Sequence, residues 1–323
     1  MSYQFRELSQ KDMNSINSLF SEVFSYKSNK KLIKWKYFQN PCGQAVLVGA
    51  FYGDTLVASG AMIPEKINFF GETMIVYKCT DLMTHPNHQR KSLSTKVNSL
   101  LLEHKQIKNS LFTYTLCSKL ATNSFLKNNW SHLDSIFYYF KPFLLIKLSS
   151  LMSPIKLQSI EFFDSVGNTL DNYKFENNHS KISVNKSSEF MKWRTANPNF
   201  IYKLICHRNN QREVDGYLIY SISKNNVLNV IDLETGGSIS VFKKLVRGAE
   251  SVVLKEKHKA IVVFCLLRSS LGKFFKSKRY FVNPYQKGPL KSLLDLNFFS
   301  LASTEELLKI DLWDIYALSY DDV

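Results

Sequence analysis

The chain has 323 residues, 45% of them apolar, enough to bury one large core or two ordinary ones. Its five cysteines (Cys42, Cys79, Cys117, Cys206 and Cys265) are odd in number and scattered, with no Cys-x-x-Cys pair. That argues against a zinc site or a disulfide framework and for a reducing, cytoplasmic setting. The net charge of +15 comes from lysines and arginines spread along the chain, a field that steers polyanions towards a cleft without choosing among them.

Gln4, Arg6, Glu7 and Lys11 interrupt the first apolar residues, so the expectation is that no signal peptide opens the chain. A strand over 3–8 is followed by helices over about 11–26 and 29–39, then strands near 45–51, 55–63 and 72–84. The stretch from Asp81 to His104 is the most informative. An apolar strand ends at Pro86, a turn with Gln89, Arg90 and Lys91 follows, and an amphipathic helix covers about 92–105, with Leu93, Val97, Leu100 and Leu101 on one face. Ser92, Ser94 and Thr95 fill its first turn, where unpaired N–H groups and the positive dipole end face outward. Such a junction holds an anion, pyrophosphate being the natural guess; a merely Ser-capped helix start is the other reading. Asp81 and His85 share a strand face with Cys79 and Met83, which makes Asp81 a candidate general base and His85 a candidate proton relay.

Further on, Leu111–Leu116 reads as a strand, 119–128 as a helix and 133–140 as a strand. The most apolar segment, Ile136–Met152, is broken by Lys141, Pro142 and Lys147 and is too short to span a bilayer. It reads as an inter-domain connection packed on the core, with contact to a membrane surface as the lesser reading. Pro142 and Pro154 mark the linker, and the pattern repeats from about 160. Ile33–Pro41 is echoed by Met191–Pro198, with Trp35 and Trp193 offset by 193 − 35 = 158. Thr80-Asp81-Leu82 is echoed by Ile231-Asp232-Leu233, and Ser124–Trp130 by Lys273–Tyr280, at offsets of 151 and 149. Three echoes in one order point to a duplicated module. The second copy has Gly236-Gly237 where the first has its basic turn, and Leu312–Leu318 reads as a last strand before Asp321-Asp322.

Gln89-Arg90-Lys91-Ser92-Leu93-Ser94 resembles the Gln/Arg-x-x-Gly-x-Gly/Ala signature of the GNAT superfamily of acyl-CoA-dependent N-acyltransferases, with serines at both glycine-type positions. Serine lacks glycine's freedom at positive φ, so ordinary helical angles are expected there. A second motif is similar to the family's Asn-x-x-Ala-x-x-x-Tyr-x-x-x-Gly-Phe: Ser118 stands for the Asn, Ala121 matches, Phe125 stands for the Tyr and Asn129-Trp130 for Gly-Phe. The resemblance implies a mixed α/β fold of two tandem GNAT-like domains, 1–150 and 151–323, each a mostly antiparallel sheet flanked by helices, the second degenerate. Acyl-CoA is then expected in the splay between the fourth and fifth strands. Backbone at Leu82, Met83 and Thr84 would face the thioester, and Gln89, Arg90, Lys91, Ser92, Leu93, Ser94, Thr95 and Ser118 would hold the cofactor. The family's tyrosine acid is replaced by Phe125, leaving Tyr114 and Tyr77 as candidates for its role. Trp35, Tyr37, Tyr77, Trp193 and Arg194 would line the acceptor side, the aromatics stacking and the arginine pairing a diphosphate.

The resemblance extends to acyltransferases of bacterial surface-polysaccharide synthesis. The expected reaction moves an acyl group, acetyl or a larger one such as 3-hydroxybutyryl, from acyl-CoA to the amine of a nucleotide-linked, dTDP-type amino-dideoxy sugar. Neither a metal, nor nucleic acid, nor membrane insertion is expected, and the oligomeric state stays open, with a monomer compatible. The alternatives are a tandem-type transferase drawing an aminoacyl group from transfer RNA, and an inactive GNAT-like binding protein.

Overall fold

The computed structural model describes residues 2–24, 29–171, 173, 182–266, 270–282, 294–300 and 305–314. The first half runs β1 (Tyr3–Glu7), α1 (Met13–Val23), α2 (Lys30–Phe38), β2 (Val46–Tyr52), β3 (Thr55–Phe69), β4 (Glu72–Thr84), α3 (Leu93–Glu103), α4 (Lys105–Lys108), β5 (Thr113–Ser118), α5 (Lys119–Leu126) and β6 (Ser131–Pro142). There follow α6 (Phe143–Met152), β7 (Ile160–Phe163), β8 (Ile182–Val184), α7 (Ser188–Thr195), β9 (Tyr202–Arg208), β10 (Val214–Ile222), β11 (Leu228–Glu234), α8 (Ile239–Glu256), β12 (Ala260–Leu266) and α9 (Ser270–Ser277). The chain closes with β13 (Phe281–Val282), β14 (Leu294–Phe299) and β15 (Trp313–Asp314). The strand expected over 312–318 is described only as β15; the rest, with Asp321-Asp322, lies outside the described residues.

Two compact units form. Unit 1 comprises 1–135, 197–199 and 294–312, and unit 2 comprises 136–196, 200–293 and 313–323, so the units divide near 135 rather than 150 and each contains a segment from the other half of the chain. In unit 1 the order is β1-β2-β3-β4-β5-β14, antiparallel except for β4 beside β5. In unit 2 it is β7-β9-β10-β11-β12-β6, antiparallel except for β11 beside β12. The sixth place in each sheet is therefore filled by a strand from the opposite half of the sequence, a register that no local pattern encodes.

α3 lays Leu93, Val97 and Leu101 on the sheet of unit 1 against Val48, Ala58, Met62 and Cys79. Burying these three side chains contributes roughly 1.5–3 kcal/mol each. In unit 2, α8 packs Val241, Leu245, Ala249 and Val253 over Leu218, Leu228 and Ile261. α8 crosses Gly216 so closely that an added Cβ would meet Val241 Cγ1 at 2.4 Å.

The Ser124–Trp130 echo has a backbone counterpart. Helix α5 ends with the N–H of Trp130 donating to Phe125 O (3.3 Å) and Asn129 at φ +59°; α9 ends with Tyr280 N–H donating to Phe275 O (3.1 Å) and Arg279 at φ +62°. Each is a left-handed helix stop. The rings it brings together, Phe125–Trp130 and Phe275–Tyr280, lie 4.9 and 4.8 Å apart.

Candidate functional site

The parallel pairing of β4 with β5 covers only Tyr77–Cys79 against Thr113–Thr115 among the described residues. Beyond it β4 stays bonded to β3 as far as Thr84–Ala58, and β5 to β14 as far as Ser118–Leu294, so the two strands part. One side of the opening is β4 from Thr80 to Thr84, whose outward backbone groups are available to an extended ligand. In this same stretch Thr80 faces Ala61 and Met83 faces Ser59, leaving Asp81 and Leu82 opposite the single residue Gly60: a β-bulge, with Asp81 at φ +49°. Gly60 is needed there, because a Cβ would meet Leu82 Cδ1 and Leu101 Cδ1 at 3.0 Å. Leu82 thus packs beside α3, and the bulge turns Asp81 towards α2, where Tyr37 Oη donates to its Oδ2 (2.6 Å) and Lys36 Nζ lies 2.6 Å from the same oxygen.

After β4, His85 caps a short turn by accepting from the Asn87 N–H at 3.2 Å. Capping occupies the ring's Nδ1 and leaves Nε2 as the nitrogen for the expected proton relay. His88 Nδ1 meets Tyr3 Oη at 3.0 Å, which ties the turn to β1. Gln89, Arg90, Lys91 and Ser92 are exposed. Arg90 (φ +61°) and Ser92 (φ +56°, ψ +22°) are both left-handed. The helical angles expected at Ser92 are not adopted: the backbone keeps the glycine-type conformation although the residue is serine. Two left-handed residues two apart turn successive N–H groups into a concavity, and α3 starts at Leu93 with no hydrogen bond from the Ser92 side chain to its first turn. Backbone at 90–94 has the form of an anion-binding turn; the Lys91 ammonium lies over the Tyr3 ring, 5.8 Å from its centroid. Leu93 itself is core, while Ser94 and Thr95 are half-buried in the first turn. Ser118, exposed at the end of β5, is the N-cap of α5.

Several candidates go elsewhere. Tyr114 is fully buried on β5 and donates to Glu65, within the paired part of the strands. Tyr77 packs in the α3-side core, where burial raises its hydroxyl pKa. Trp35 is 4% exposed, a core side chain and no stacking surface. Arg194 is 1% exposed, donating to Tyr202 Oη at 2.7 Å with its guanidinium over that ring, so it has no open face for a diphosphate. Trp193 is half-buried against Phe190 and the unit 2 core. Lys36 and Glu65 escaped the sequence reading; the only signal was a charged residue at an apolar phase of α2 and of β3.

Unit 2 has its own version of this corner. Among the described residues β11 pairs with β12 only over Leu228–Val230, and Asp232 stands two residues further on, as Asp81 stands two beyond Cys79. Asp232 accepts from Tyr217 Oη (2.6 Å) and Lys186 Nζ (2.8 Å), and Lys186 also reaches Glu234. Tyrosine, lysine and carboxylate recur, with the first two supplied by other elements. Gly236 and Gly237 are left-handed, but here Ser238 caps α8 by accepting from Val241 N–H, and no basic side chain stands in the turn.

Residues 4–118 match the acetyltransferase (GNAT) domain model. Curated protein sequences give no match. Among solved structures, a protein from Enterococcus faecalis V583 described as a probable N-acyltransferase is similar over 93% of this chain and 72% of its own, with a TM-score of 0.71 at 10% identity. A GCN5-related N-acetyltransferase from Anabaena variabilis ATCC 29413 aligns over 92% and 72% with a TM-score of 0.63 at 9% identity. Saccharomyces cerevisiae N-myristoyltransferase with bound myristoyl-CoA aligns over 93% and 79% with a TM-score of 0.60 at 10% identity. The fold is thus GNAT-like, and the match to the GNAT domain model is confined to residues 4–118.

Proposed function

We propose that the protein is an acyl-CoA-dependent N-acyltransferase acting through unit 1. The observation that carries this is the parting of β4 from β5 directly ahead of a turn whose Arg90 and Ser92 are left-handed. Acyl-CoA supplies a thioester whose thiol leaving group has a pKa of roughly 8.5. In this reading backbone amides at 90–94 and the Arg90 and Lys91 side chains hold the pyrophosphate, and β4 backbone at Leu82–Thr84 faces the carbonyl oxygen. Asp81 is the one carboxylate on the bulge; it orients the amine and takes up its proton, with Lys36 and Tyr37 fixing the carboxylate. An amine of pKa about 7.7–8.0, as expected beside electron-withdrawing hydroxyls, is partly neutral near pH 7, so positioning supplies much of the rate.

The acceptor we favour is a nucleotide-linked, dTDP-type amino-dideoxy sugar of surface-polysaccharide synthesis, in keeping with the charge of +15 that draws a diphosphate. Since Arg194 is buried, exposed lysines and arginines must make that contact. Unit 2, with its blank turn, is read as a degenerate second copy. Free-thiol release from a panel of acyl-CoAs with nucleotide-linked amino sugars tests the reading: turnover with one pair fixes donor and acceptor, and CoA binding without turnover moves the search to other amines. A non-catalytic binding protein is the second reading, favoured by Phe125, which is 2% exposed against Trp130 and offers no acid.

A further inference from the structure

The segment after β6 contradicts the rule that a helix turns its apolar stripe to the core. On α6, Leu144 (64% exposed), Leu148 (48%), Leu151 (73%) and Met152 (82%) stand at i, i+4, i+7 and i+8, one continuous face directed to solvent, while only Ile146 is fully buried. The helix hydroxyls do not break this stripe: Ser149 donates to Leu145 O and Ser150 to Lys147 O, both at 2.7 Å. Leu157, 38% exposed in the loop that follows, extends it. Contiguous exposed leucines of this kind mark a docking surface.

The surrounding charge selects the occupant. Residues 143–160 contain Lys147 and Lys156, both exposed, and no Asp or Glu. Arg247 on α8 donates to Ser153 O at the helix end, and the nearby carboxylate of Glu250 is buried between Lys141 and Arg247. Glu161, the first acid beyond the segment, is engaged by Arg208 at 2.7 Å. A second copy of a +15 chain docked here would set lysine rims against each other, whereas a layer of anionic headgroups meets them with opposite charge. A ten-residue helix spans about 15 Å, half of a bilayer core, so it lies in the interface and does not cross it.

We propose that the outer face of α6 seats the protein on an anionic lipid surface, with Leu144, Leu148, Leu151 and Met152 among the acyl chains and Lys147 and Lys156 at headgroup level. The proposal is independent of the transferase reading. It is tested by co-sedimentation of the full chain with phosphatidylcholine vesicles, with and without phosphatidylglycerol, alongside light scattering of the free protein. The expected result is binding to the phosphatidylglycerol vesicles, weakened by salt, and reduced about tenfold by Lys147→Glu with Lys156→Glu and at least as much by Leu148→Glu with Leu151→Glu. All four positions are exposed, so the variants should unfold at the wild-type temperature. Absence of binding to either vesicle, binding untouched by both double variants, or a wild-type dimer that the leucine variants split would overturn it.

Discussion

Tyr37 Oη donates to Asp81 Oδ2 at 2.6 Å, and Lys36, the preceding residue, reaches the same oxygen at 2.6 Å. Two consecutive side chains of one short helix thus fix the carboxylate that the β4 bulge presents. Lys36 and Asp81 are both nearly inaccessible, at 3% and 7% side-chain exposure. Removing one partner of such a pair leaves a buried charge unmatched. Asp81→Asn should therefore destabilise the fold by about 3–5 kcal/mol, and adding Lys36→Met should recover at least half of it. Urea unfolding of the single and double variants measures this; additive losses would show that the two groups do not interact.

Ser92 pays a steric penalty at φ +56° that glycine avoids. Ser92→Gly should raise stability by about 1 kcal/mol and leave CoA binding unchanged. Ser92→Glu, at the mouth of the same turn, should abolish CoA binding while changing stability little. Thermal melts with and without CoA separate the two effects.

Burial governs the thiols. It pushes the Cys206 thiol up to about 12 and raises Cys79 as well; Cys117 and Cys265 are also buried, and Cys42 alone is half-accessible. In native protein at neutral pH a disulfide reagent should titrate one thiol quickly, and all five after denaturation. Cys42→Ser should remove the fast phase.

Burial in unit 2 opposes the charge of Lys186, yet Asp232 and Glu234 outweigh it and raise the pKa above the ordinary lysine value. The folded state thus holds this proton more tightly than the unfolded state. Its contribution is complete below about pH 10.4 and is lost as pH rises towards the folded pKa. Lys186→Met should accordingly be less stable than wild type at neutral pH, with the gap narrowing above about pH 10.4. Unfolding curves across that range provide the check.

Local pattern was enough to place most elements: the strand expected over 72–84 is β4 at Glu72–Thr84, and the helix expected over 92–105 is α3 at Leu93–Glu103. Periodicity and caps carry that information. Long-range facts were not legible. That β14 fills the place beside β5 depends on a pairing across more than half the chain. Lys36 sits in Lys-Lys-Leu-Ile-Lys-Trp-Lys-Tyr, where four lysines look equally solvated, and only the bulge at Asp81 buries one of them. Arg194 read as a phosphate ligand because a basic residue beside a tryptophan suggests a surface; the Tyr202 hydroxyl that buries it comes from a separate strand. At Ser92 the residue type pointed to helical angles, and the turn's geometry overrode it.

Acyl transfer by unit 1 requires that the 90–94 turn hold the donor's phosphates. Isothermal titration of acetyl-CoA into wild type, Ser92→Gly and Ser92→Glu tests it most directly. Saturable binding by the first two and none by the third is predicted. No binding by wild type, or equal affinity in the glutamate variant, would contradict it and leave the turn as no more than the start of a helix.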